Sequence, residues 1–112
     1  MDDREINARV AVEVMGWKIT LGTIGEECWF GEDGDFRHVA HLWLPSSDWS
    51  CMKLVVERMR ELGWVLLLNG CAARFHKNGK ETPDSPSSWV GYESIDTLPR
   101  AVSLAALKAV TT

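Results

Sequence analysis

No apolar run in this 112-residue chain approaches the roughly 20 residues that a membrane-spanning helix needs, so no transmembrane segment is expected. Cysteine is sparse: Cys28, Cys51 and Cys71 are odd in number and show no C-x-x-C spacing. Neither a disulfide framework nor a zinc ribbon follows, and a reducing cytosol is the expected setting. Positive charge is short as well, with 12 Lys and Arg against 16 Asp and Glu for a net charge of -4. Acidic residues gather at Asp2-Asp3-Arg4-Glu5 and again over 26–35. A binder of DNA or RNA polymers normally presents a basic face, so such polymers are not expected as partners. A small anionic ligand needs only two or three local donors and stays compatible with this balance. The amino terminus is acidic and amphipathic rather than basic and then apolar, which argues against a secretory signal.

Motifs of catalysis are missing too. There is no G-x-S-x-G, no Walker-type loop and no pair of catalytic carboxylates, so an enzyme is not expected. The Asp33-Gly34-Asp35 loop lacks the full calcium motif with its closing Glu. His38 and His41 are spaced H-x-x-H, which on a strand places them on opposite faces, so no shared metal and no cofactor are expected. Cys51 follows a helix start, where a thiol pKa can be lowered, but burial on that helix is an equal alternative.

What is present describes one domain over 1–112, with 46% hydrophobic and 25% charged residues as in ordinary globular proteins. Residues 97–112 read as a capped helix with Pro99 in its first turn. Over 101–110 the only polar side chains are Ser103 and Lys108, so this helix must be covered on more than one face. Near the start, Asp2 or Asp3 caps a helix running to about Met15, carrying Ile6, Val10 and Val14 on one stripe and ending at Gly16. A strand is expected over 18–23. Residues 28–30 and 36–44 form a hairpin across the turn-rich stretch 31–35. After Pro45, Asp48 caps a second helix whose stripe of Trp49, Met52, Val56 and Met59 ends at Gly63. Residues 64–68 and 71–76 are strands joined by Asn69-Gly70, a type I′ turn signal. The stretch 80–88 is a surface loop, and 89–95 is a last strand. This order predicts an α+β fold with a mainly antiparallel sheet covered by helices.

Three blocks carry a family resemblance. Asn7-Ala8-Arg9-Val10-Ala11-Val12-Glu13-Val14-Met15-Gly16-Trp17 is a helix leading into Met-Gly-Trp. Pro45-Ser46-Ser47-Asp48 precedes Val55-Val56-Glu57-Arg58-Met59-Arg60. Leu98-Pro99-Arg100-Ala101-Val102 begins the apolar last helix. In this order and spacing the chain resembles the phage ABA sandwich family of small phage and prophage proteins, from which the stretch 22–35 departs. The resemblance implies an α-β-α sandwich, here with about four strands, and a phage origin. It supplies no catalytic residues. Small phage accessory proteins often antagonise host defence, in some cases by sequestering the nucleotide that activates a host effector.

Two residue groups suit such a ligand. Six tryptophans are many for this length. Trp17, Trp49 and Trp64 are assigned to the core, whereas Trp29, Trp43 and Trp89 lie near loops where an indole can stack on a base, each stack contributing roughly 1–3 kcal/mol. Arg74, His76, Lys77 and Lys80 form the only local basic concentration. Arg74 and His76 share a strand face, and Arg74 can contact a phosphate in bidentate fashion. Ser85, Ser87 and Ser88 add hydroxyls on a loop able to close over a ligand. For each group the competing reading is structural: buried core for the indoles, a solvated sheet face for the cations.

The expected ligand site is therefore Trp43, Arg74, His76, Lys77, Lys80, Ser88 and Trp89. The expected function is a phage anti-defence protein of the host cytoplasm that binds a cyclic oligonucleotide or ADP-ribose-derived signal without cleaving it, as a homo-oligomer. The alternative is a protein-interaction module or minor virion protein with no small-molecule ligand.

Overall fold

A computed structural model describes residues 1–22, 24–77 and 89–111. The expectations that fall on 23, 78–88 and 112 lie outside the described residues. Helix α1 (Asp3–Arg9) starts where Asp2 Oδ1 accepts the Glu5 N–H at 2.8 Å, one of the orphan donors of a first turn. It does not run on as an α-helix to Met15. Val10–Val14 instead form a wider π-type turn that buries Val10, Ala11 and Val14, and Gly16 at φ 72° redirects the chain.

Strands β1 (Lys18–Leu21), β2 (Glu27–Phe30) and β3 (Phe36–Val39) form an antiparallel sheet in that order. Ile19 faces Trp29 across β1 and β2, and Trp29 faces His38 across β2 and β3. The expected second strand of this hairpin stops at Val39. Ala40–Leu42 make a single 3₁₀ turn, and Trp43 leaves the strand path because its ring is buried.

Asp48 caps helix α2 (Trp49–Glu61), its carboxylate accepting the N–H groups of Ser50 and Cys51 at 2.7 and 3.3 Å. Gly63 at φ 93° ends the helix. Strands β4 (Trp64–Leu68), β5 (Ala72–Lys77) and β6 (Val90–Gly91) form a second antiparallel sheet, with Leu66 opposite Phe75 and Leu67 opposite Arg74. The β4–β5 connection is not the type I′ turn that Asn69-Gly70 signals, because neither residue has positive φ. Asn69 Oδ1 accepts the Cys71 N–H at 3.0 Å instead, an Asx turn.

Ser94 and Thr97 form the capping box of a 3₁₀ turn (Ile95–Thr97) that leads directly into helix α3 (Leu98–Thr111), which packs against β5, α2 and the α1 segment. Its buried residues include Ala101, Val102 and Ser103 in succession and then Ala105, Ala106 and Leu107, which cannot share one face. The near absence of charge in this helix thus reflects several covered sides.

The fold is α+β. The expected single sheet of about four strands is, among the described residues, two three-stranded sheets. The division follows from Trp43: the chain dives into the core after β3 and crosses through α2 before β4 begins. The core joins Ile6, Val10 and Val14 to Trp17, Trp29, Trp43, Val55, Met59, Phe75 and Val102.

Candidate functional site

Side chains alternate along β5. Ala73 and Phe75 turn to the helices and are buried there, so Arg74 and His76 turn to the opposite face. Arg74 is nonetheless only 4% exposed. Its guanidinium lies 5.4 Å from the ring centroid of Trp89, within cation–π range. It also donates to Nδ1 of His76 at 3.2 Å, which assigns the proton of the neutral imidazole to Nε2. Arg74, His76 and Trp89 are therefore brought together as a cation, a ring N–H donor and an aromatic plane on one sheet face.

The rest of the expected site is dispersed. Lys77, one residue on, belongs to the helix side of the sheet. Its ammonium stands 5.0 Å from the Trp64 ring and donates to the Leu62 carbonyl at 3.2 Å, closing the C-terminal end of α2. Lys80 and Ser88 lie outside the described residues. Trp43 is 1% exposed: its Nε1–H donates to the Asn7 carbonyl at 3.0 Å, and its ring meets Trp17 at 4.6 Å and His38 at 5.4 Å. The indole N–H is thus satisfied by α1 rather than held for a ligand. Trp17 is buried and Trp64 half-buried as core residues, but Trp49 is 46% exposed because it starts its helix ahead of the packed turn.

Trp43 and Trp29 do share a cavity. A groove of about 860 Å³ runs between α1, the first sheet and residues 40–47, with Ile19, Trp29, Ala40, Trp43 and Leu44 along its apolar wall. Asp3, Glu26 and Glu27 outnumber Arg4 on its charged margin, with His41 beside them. That balance disfavours a polyanion in the groove. Asn7 lines it too, with Oδ1 accepting the Ser46 N–H at 3.0 Å. Periodicity carried no sign of this groove, because its walls come from segments some 40 residues apart in the chain, as the Asn7–Ser46 bond shows.

A second cleft, of about 670 Å³, lies between Trp17, Leu54 and the turn at 31–33. Its charges largely pair with one another, Arg37 with Asp33 at 2.6 Å and Arg58 with Glu61 at 3.4 Å. The Asp35 N–H and then Arg37 hold the Asp33 carboxyl below its usual range. The two buried cysteines behave oppositely: burial pushes the thiols of Cys28 and Cys51 up, and neighbouring carboxylates push further. For Cys51 this decides between the two readings of its helix-start position in favour of burial.

Compared with known proteins, the chain matches no family model, no curated protein and no solved structure.

Proposed function

We propose that this chain is a non-catalytic binding protein that sequesters a small nucleotide signal, a cyclic oligonucleotide or an ADP-ribose derivative, for a phage or prophage opposing host defence. The observation that carries this reading is the Arg74–Trp89 pair with His76 beside it. A guanidinium supplies two parallel donors to a phosphate, and an indole supplies a stacking plane for a base. Arg74 also sits on a sheet face that looks away from the helices, where the second helical layer of an α-β-α sandwich would lie. The resemblance of the two outer helices and the central Pro45 block to phage ABA sandwich proteins supports the same origin. A sequestering protein does not turn over, so it must bind tightly, through a ligand largely enclosed between rigid rings and charged donors.

Thermal melting of the full chain against cyclic oligonucleotides, ADP-ribose derivatives and linear nucleotides tests this. A selective rise in Tm for one class, with intact ligand recovered after denaturation, is the expected result. In Arg74→Lys and Trp89→Leu the affinity falls by about tenfold or more, through loss of the bidentate contact and of the stack. Flat melting curves for the wild type, or unchanged affinity in both variants, would sink the proposal.

A second reading is favoured by the groove over Trp29 and Trp43, whose apolar wall suits a partner protein's side chains. It predicts that Ile19→Asp abolishes partner capture while leaving nucleotide melting shifts unchanged.

A further inference from the structure

Among the described residues each three-stranded sheet has two edges, and three of the four carry a feature that discourages another strand from pairing. β1 holds Lys18, β3 holds Arg37 and pairs with β2 through an irregular register, and β6 is a two-residue strand. β4, Trp-Val-Leu-Leu-Leu, has no charge, no proline and no bulge. Its side chains are also exposed beyond what the fold needs: Val65 44%, Leu67 38% and Leu68 51%.

Hydrogen-bond phase determines what the edge offers. Asn69 N–H donates to the Ala72 carbonyl at 3.0 Å, so pairs two and four residues back, Leu67 with Arg74 and Val65 with His76, exchange the ladder bonds. The N–H and C=O groups of Trp64, Leu66 and Leu68 consequently point away from β5. Among the described residues none of these groups meets another element's backbone.

We infer that β4 is an association surface whose occupant is β4 of a second copy of this chain, paired antiparallel about Leu66. In that register Leu66 exchanges backbone bonds with Leu66 of the second copy, and Trp64 does so with Leu68. Val65 lies against Leu67 on the face away from the helices. Every facing pair is apolar, and one step further Gly63 meets Asn69, so no like charges oppose across the two-fold axis. Self-complementarity of this kind is what an isologous interface requires, and the product is one continuous six-stranded sheet. A polypeptide of other sequence would gain the same backbone bonds, but it would have to supply an uncharged apolar strand that this chain already carries. The inference stands independently of the nucleotide reading.

Sedimentation velocity of the full chain over a concentration series is the test. A dimer is expected, with Val65→Lys and Leu68→Pro each raising its Kd at least about tenfold. Leu68→Pro removes an outward N–H and leaves the β4–β5 ladder intact, while Val65→Lys adds the charge that natural edges carry. Ile19→Lys on β1 leaves the dimer unchanged. Hydrogen exchange of the wild type supplies a readout without substitution: the Leu66 and Leu68 amides are protected at high concentration and lose that protection on dilution. A chain that stays monomeric to about 100 µM, where even a weak contact populates dimer, overturns the inference. So does a dimer that survives both β4 variants or is lost in Ile19→Lys.

Discussion

At the scale of single residues, the three cysteines show how much position outweighs residue type. Cys28 and Cys51 are buried with raised pKa, whereas Cys71 is exposed at the β4–β5 turn. Native protein at pH 7.5 should therefore yield one fast-reacting thiol with a disulfide reagent, and all three only after denaturation. Above the ordinary thiol pKa near 9.0 the unfolded chain ionises these cysteines before the folded chain does. Their contribution to stability is thus intact below that pH and declines as pH rises through the raised folded values, which denaturant melts between pH 8 and 10 on the wild type and a Cys28→Ala, Cys51→Ala double variant would resolve. Trp43 makes a similar point. In Trp43→Phe the Asn7 carbonyl keeps the Val10 N–H but loses its 3.0 Å indole donor, and a small void opens beside Trp17. A loss of about 1–3 kcal/mol in urea unfolding is expected; a change below a few tenths would show that the bond carries little. By sequence this indole suits either the core or a ligand. With 1% of the residue exposed and its N–H already engaged, the ring is a core side chain.

Elements formed where local chemistry was strong. Helices α1 and α2 begin at the caps read from Asp2 and Asp48, and α2 ends at Gly63, because caps and glycine stops act within one turn of chain. The last helix, for which Asp96 or Thr97 is the cap expected from sequence, is instead led in by a 3₁₀ turn capped by Ser94. Asp48→Ala should cost about 1 kcal/mol, seen as a lower urea midpoint at constant m-value, with Asp48→Asn retaining most of the stability. Elements failed where neighbours in space decide. The strand expected over 36–44 is cut short by the burial of Trp43. The one expected over 89–95 shrinks to Val90–Gly91, since only these residues reach β5. Asn69-Gly70 signalled a left-handed turn, yet the Asn69 side chain bonds to the Cys71 N–H and keeps both residues at negative φ.

The whole molecule is organised around α3, which touches β5, α2 and the α1 segment and contributes no charged residue to the core. The first sheet is tied in more lightly: all four residues of β1 are exposed, and of its strands only Trp29 joins the core cluster. Native-state hydrogen exchange should therefore release the amides of β1–β3 well before those of β5 and α3, since the free energy of opening follows the buried contact area. Equal protection in both sheets would contradict this ordering. The ion pairs that link distant parts, such as Arg100 with Asp3 at 3.2 Å, are solvent-exposed and contribute little to the ordering.

Alone, the sequence determined the α+β class, the starts of α1 and α2 at their Asp caps, the pairing of β4 with β5 and the need to cover the last helix. All of these follow from interactions between residues close in the chain, or from the sheer apolarity of a segment. Tertiary structure decided the split into two sheets, the grouping of Arg74 and His76 with Trp89, the withdrawal of Lys77 to the end of α2, and the groove over Trp29. Each of these depends on which distant surface a side chain meets: Trp43 has the same composition around it in the core as near a loop, and only the Asn7 carbonyl, 36 residues away, distinguishes the two.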